Sequence, residues 1–207
     1  MGYEGEHHRK IAKEAPLEFI VFDLELTAWE GSLQRHWAGP NEFREIVEIG
    51  AVRTDPEKPD IQDQCFSMLV HPVKNPLLSN YFIELTGISQ QRLEHEGQSL
   101  STALEAFAEF ASGVSHFYAY GDDGDIIAEN CGFQGLHNPL AGSRITNVRA
   151  GITKAYGLDT SITSADLPTA TGLARSGDNL QAHNALDDAR AVAQVLKPLI
   201  GTPGFSL

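Results

Sequence analysis

Two carboxylates at the end of an apolar run are the first residues whose types and spacing suggest chemistry. The run is Leu17-Glu18-Phe19-Ile20-Val21-Phe22-Asp23-Leu24-Glu25-Leu26-Thr27. Apolar on both alternating faces as far as Phe22, it reads as a strand buried in a sheet that is covered on both sides. Side chains two apart on a strand point the same way, roughly 7 Å apart. Asp23 and Glu25 would then share one poorly solvated face, where like charges repel. A divalent cation is the simplest remedy. A strand that stops at Phe22 and leaves both acids in water is the competing reading.

A second acidic site lies near the C-terminus, in His183-Asn184-Ala185-Leu186-Asp187-Asp188-Ala189-Arg190. Asn184 is a good helix N-cap, and an acid at Asp187 suits the exposed amides of the first turn. Asp187 shares its helix face with Arg190 and Gln194. Asp188 shares its own with Ala191, Val192, Val195 and Leu196, so it points inward, which is unusual for an acid. His183 precedes the helix by one residue, and imidazole is the side chain that titrates nearest neutral pH. The third site is Asp122-Asp123, where a strand runs into a helix. Asp123 has Ile126 and Ile127 at core-facing spacings and is preferred. Asp122 is its rival, Asp125 lies further along the helix, and a plain helix cap would use the same residue type.

Several elements must position these groups. A second strand is expected over Glu45–Arg53, and a third over Ile61–Val70 makes an antiparallel meander with the first. Ala28–Arg44 reads as a long loop, in which Trp29, Trp37 or Phe43 would stack a base or simply pack the loop. The stretch from His71 to Leu85 reads as irregular, followed by a short polar helix. An amphipathic helix is expected over Ser99–Ala111 and a fourth strand over Ser115–Gly121. Beyond it come a helix from about Gly124 to Phe133 and a short strand over Ser143–Val148. Helices over Arg149–Tyr156, Ser164–Leu173 and Asn184–Ile200 complete a single mixed α/β domain over residues 17–207. Residues 1–16 are polar and expected to be loosely ordered.

The chain has 207 residues, 42% of them hydrophobic and 21% charged, as in ordinary globular proteins. Cys65 and Cys131 form no CxxC pair, which argues against a disulfide framework or a zinc site. With no run long enough to cross a membrane and no signal-peptide pattern at the start, a cytoplasmic location is expected. The formal charge of −13 argues against a wide grip on duplex nucleic acid. It suits an acidic pocket that recruits metal ions and engages a short substrate end.

Taken together, Phe22-Asp23-Leu24-Glu25-Leu26-Thr27, Tyr120-Gly121-Asp122-Asp123 and His183-Asn184-Ala185-Leu186-Asp187-Asp188-Ala189 resemble the DEDDh 3′→5′ exonucleases. Ile46-Val47-Glu48-Ile49-Gly50-Ala51-Val52 and Glu84-Leu85-Thr86-Gly87-Ile88 are similar to the Eri-type branch of that superfamily. The resemblance implies an RNase H-like fold, a mixed five-stranded sheet flanked by helices. It further implies two Mg²⁺ or Mn²⁺ ions held by Asp23, Glu25, Asp123 and Asp188, with His183 as general base. The substrate would be the 3′ end of single-stranded RNA or DNA, released as nucleoside 5′-monophosphates. Leu26 and Thr27 match the positions that hold the terminal nucleotide. The middle motif is one residue shorter than the commonest Eri form, which keeps Asp122 open. A catalytically weak binding module and a proofreading subunit of a polymerase are the alternatives.

Overall fold

The sheet is built outward from one buried strand. The computed structural model describes residues 18–56, 64–173, 183–203 and 205. Strand β1 (Phe19–Leu26) pairs antiparallel with β2 (Ile46–Thr54), and β2 with β3 (Gln64–Leu69). On its other side β1 pairs parallel with β4 (His116–Ala119), which pairs parallel with β5 (Arg144–Asn147). The order is β3-β2-β1-β4-β5. This mixed five-stranded sheet flanked by helices is the expected architecture.

Both faces of β1 are covered, as its composition requires. Ile20, Phe22 and Leu24 pack on one side with residues of α3 (Leu100–Phe110) and α4 (Asp123–Gln134). Phe19 and Val21 pack on the other with α5 (Arg149–Tyr156) and Val192, Val195 and Leu196 of α7 (Ala185–Leu196). Strand periodicity therefore puts Asp23 and Glu25 on the face that α7 covers. At their end the pairing slips, from Glu25 opposite Glu48 to Leu26 opposite Ile46. This irregularity gives β2 an extra residue and bends the end of the sheet.

The antiparallel meander, the helix over 149–156 and the helix starting after Asn184 are as expected. Other boundaries differ. The stretch read as irregular over 71–85 contains α1 (Asn80–Thr86), started by Ser79, whose hydroxyl accepts the Phe82 N–H. Phe82 buries its ring beside Val47, Leu69, Ile88 and Leu93, and Gly87 ends the helix at φ 73°. Nearby prolines mask this one-sided pattern in the sequence. The polar helix is α2 (Gln90–Glu96), and the helix expected over 164–173 shrinks to α6 (Leu167–Ala170). Residues 1–16 and the first residues of the expected third strand lie outside the described residues. Among the described residues Cys65 and Cys131 form no disulfide. Among the described residues no helix is long and apolar enough to cross a membrane.

Candidate active site

Asp23, Glu25 and Asp188 each offer a carboxylate oxygen within 4.8 Å of the others. Strand β1 supplies two of them and α7 the third. Asn184 caps α7 by accepting the Asp187 N–H at 3.1 Å, which leaves Asp188 on the buried side. Asp187 takes the outward position, where Arg190 donates to it at 2.9 Å. The helical wheel drawn from the sequence anticipates both.

Asp123 and Asp122 separate cleanly in space. Asp123 opens α4, is buried, and presses electrostatically on Asp23. Gly121 leaves it room, since a Cβ there would sit 3.0 Å from Asp123 Oδ2. Asp122 is exposed and accepts from Asn147 at 3.0 Å. Asp125 is exposed as well. Asn130 ties α4 to the start of β2, accepting the Ile46 N–H at 3.0 Å and donating to the Arg44 carbonyl at 3.0 Å.

His183 occupies the turn just before Asn184, half-buried, with φ 62°. Histidine is among the few side chains that adopt this left-handed conformation with any frequency. Leu26 packs against the core under the bent strand end. Thr27 is buried, and its hydroxyl donates to the Phe43 carbonyl at 2.5 Å and accepts the Glu45 N–H at 2.9 Å. These bonds moor the long loop to the end of β1. Trp37 does the same, donating from Nε1 to the Thr27 carbonyl at 2.7 Å. Phe43 stands edge-on to Phe133, with the Lys74 ammonium 4.7 Å above its ring.

The electrostatics of the cluster are adverse to the bare protein. Lost hydration is the main cause that raises the Asp23 carboxyl well above the usual range, and Asp123, Glu25, Asp188 and Glu48 add repulsion. Glu25 is raised in the same way by burial, then by Asp188, Glu48 and Asp123. Burial pushes Asp123 up to about 6, although its own N–H and that of Leu24 pull the other way. Among the described residues none of Asp23, Glu25 and Asp123 forms a salt bridge. The donors are all oxygens, the set that hard divalent cations prefer. Residues and ion therefore fit.

Glu48 is the member that motif reading missed as a separate contributor. It is buried opposite Glu25 and raises both Asp23 and Glu25. Its signal was present as a lone acid inside the apolar run Ile46-Val47-Glu48-Ile49.

The family follows from a comparison with known proteins. A family model described as Exonuclease (RNase T) matches residues 20–196. The chain belongs to the RNase T exonuclease family. Its relatives include the 3′-5′ exonuclease Snipper of Drosophila melanogaster, 25% identical over 93% of this chain and 72% of that protein. The 3′-5′ exoribonuclease 1 of Mus musculus is 26% identical over 84% of this chain, which spans half of that protein. The fold matches the nuclease domain of 3′hExo, a DEDDh family member solved with rAMP. The TM-score is 0.73 at 22% identity, over 89% of this chain and 92% of that one. The protein is accordingly an exonuclease, and the relatives named here are 3′-5′ enzymes.

Metal and pH should act on the exonuclease's stability in opposite senses. Without metal, the raised carboxyls keep their protons to higher pH in the folded chain than in the unfolded chain. For Asp123 the window runs from about 3.8 to about 6. There the folded state binds more protons, so this group's contribution to stability falls as pH rises through the window and stays lost above it. A bound divalent cation favours the ionised forms and removes the penalty. The rise in Tm on replacing EDTA with Mn²⁺ should therefore be larger at pH 8 than at pH 5. Thermal melts at the two pH values test this, and an equal or absent metal effect contradicts it.

Proposed function

We propose that this exonuclease removes nucleotides from the 3′ end of single-stranded RNA or DNA as nucleoside 5′-monophosphates. It would hold two Mg²⁺ or Mn²⁺ ions on Asp23, Glu25, Asp123 and Asp188, with His183 as general base. The observation that carries this reading is the trio of carboxylates within 4.8 Å on a buried face, approached by Asp123 from a separate element. When bound, such ions activate a water and neutralise charge on the leaving 3′-oxygen.

The chain's own residues supply the rest. The four carboxylates hold a dense negative charge that has little use except to bind cations. Substrate phosphate should accordingly bind only in their presence. His183 takes the proton of the attacking water. Leu26 and Thr27 hold the terminal nucleotide at the bent end of β1, where the loop bonds of Thr27 keep the backbone rigid. The rAMP bound to the related nuclease domain supports a mononucleotide subsite. Two cysteines with no CxxC pair support a reducing, cytoplasmic setting for this activity.

Oligonucleotides labelled at the 3′ or 5′ end, in RNA and DNA forms, test this with Mg²⁺, Mn²⁺ or EDTA. The 5′-labelled strands should shorten stepwise with metal, and the 3′-labelled strands should release labelled mononucleotide at once. EDTA should stop both. Binding without shortening under either metal would favour the catalytically weak binding module.

A further inference from the structure

Glu48 puts a charge where the sheet has no evident use for one. It is 0% exposed and stands directly opposite Glu25. Like charges facing each other across strands weaken a sheet, and burial worsens the penalty. The compensation lies in its hydrogen bonds. Oε1 accepts from the Ser67 hydroxyl at 2.9 Å, and Oε2 accepts the Ala185 N–H at 3.2 Å and the Asn184 side-chain amide at 3.4 Å. Ala185 is the first residue of α7, whose opening amides have no partner within their own helix.

Gly50 adds an independent observation. It pairs with Asp23 and lies two residues from Glu48 along β2, on the same face. A Cβ at Gly50 would fall 2.1 Å from the Leu186 nitrogen and 2.2 Å from the Ala185 carbonyl carbon. The start of α7 is thus pressed onto β2 through a gap that only glycine leaves, and Glu48 grips it beside that gap. His183 and Asp188 flank the gripped amide on either side in the chain.

We infer that Glu48 is a positioning residue that fixes the first turn of α7 on the sheet, and with it His183 and Asp188 relative to Asp23 and Glu25. The inference rests on the roles proposed above for His183 and Asp188. Glu48 acts through reach and hydrogen bonding, and its negative charge is incidental to the role.

That distinction makes a test with two conservative variants. Glu48→Gln keeps the length of the side chain: the amide oxygen can accept from Ala185 and Asn184 while the amide nitrogen donates to Ser67 Oγ. Glu48→Asp keeps the charge but is one methylene too short to span Ser67 and Ala185. E48Q should retain kcat within about 3-fold, while E48D should lose about 10-fold or more. The KM for a 5′-labelled oligonucleotide should stay within about 2-fold in both. Backbone hydrogen exchange in the metal-free protein gives a readout apart from activity. The Ala185 amide should exchange roughly 5-fold faster or more in E48D and near the wild-type rate in E48Q.

A kcat for E48D at or above that of E48Q, or an Ala185 amide indifferent to both changes, overturns the inference. If E48D melts below the assay temperature, Ala185→Pro replaces it, because proline deletes the gripped N–H. Position 185 is the first of the helix, and Asn184 before it is already extended at φ −122° and ψ 119°. Wild-type kcat in A185P would be equally fatal. A wild-type protein that fails to shorten oligonucleotides defeats the proposed function instead, and hydrogen exchange still decides whether Glu48 grips α7.

Discussion

Replacing Asp23 by asparagine is expected to lower kcat by at least about 10³-fold while raising the Tm of the metal-free protein. The two effects have one cause. Asp23 carries repulsion from Asp123, Glu25, Asp188 and Glu48 in addition to its lost hydration. An amide of the same shape removes one of the opposed charges and keeps the packing. Without metal that is a relief, and each kcal/mol gained is worth about 2–4 °C in a domain of this size. With metal it is a loss, because asparagine offers a neutral oxygen where a cation needs an anionic one.

The rise in Tm on adding Mn²⁺ should shrink accordingly in Asp23→Asn. Melts in EDTA and in Mn²⁺, beside single-turnover digestion of a 5′-labelled oligonucleotide, measure both sides. A variant less stable than wild type in EDTA would make Asp23 a structural carboxylate. One retaining more than a tenth of wild-type kcat would remove it from the reaction.

What the sequence disclosed about this site followed periodicity. A strand apolar on both faces that runs into Asp23 and Glu25 has few fates, and the fold covers it on both sides as required. The helical wheel separated the inward Asp188 from the outward Asp187 with no reference to the fold. Asp122 and Asp123 were harder, because adjacent residues at a strand–helix junction differ only in the direction the chain takes there. That direction is set by the pairing of β4 between β1 and β5, which is long-range information. Helix α1 was hidden by neighbouring prolines, since Phe82 and Thr86 are all that it buries. Glu48 was visible as a residue and invisible as a role. Its partners, Ser67, Asn184 and Ala185, are remote in sequence, and only the antiparallel register puts it opposite Glu25.

His183 carries the other large effect. His183→Ala should lower kcat by about 10²-fold or more and leave the metal-dependent rise in Tm near its wild-type size. The second clause separates a base from a ligand, since losing a cation ligand would reduce that rise. Backbone conformation complicates the alanine variant. His183 sits at φ 62°, where alanine is strained by roughly 1–2 kcal/mol, so a slow variant could reflect a shifted turn. Asparagine adopts this conformation readily and cannot take a proton, so His183→Asn isolates the chemistry from the strain. Both variants should be slow, with His183→Asn the more stable of the two. Imidazole added to the buffer should restore part of the rate of His183→Ala, whose cavity can admit it. Full activity in His183→Asn would leave the turn with a purely structural part and move the proton to another acceptor.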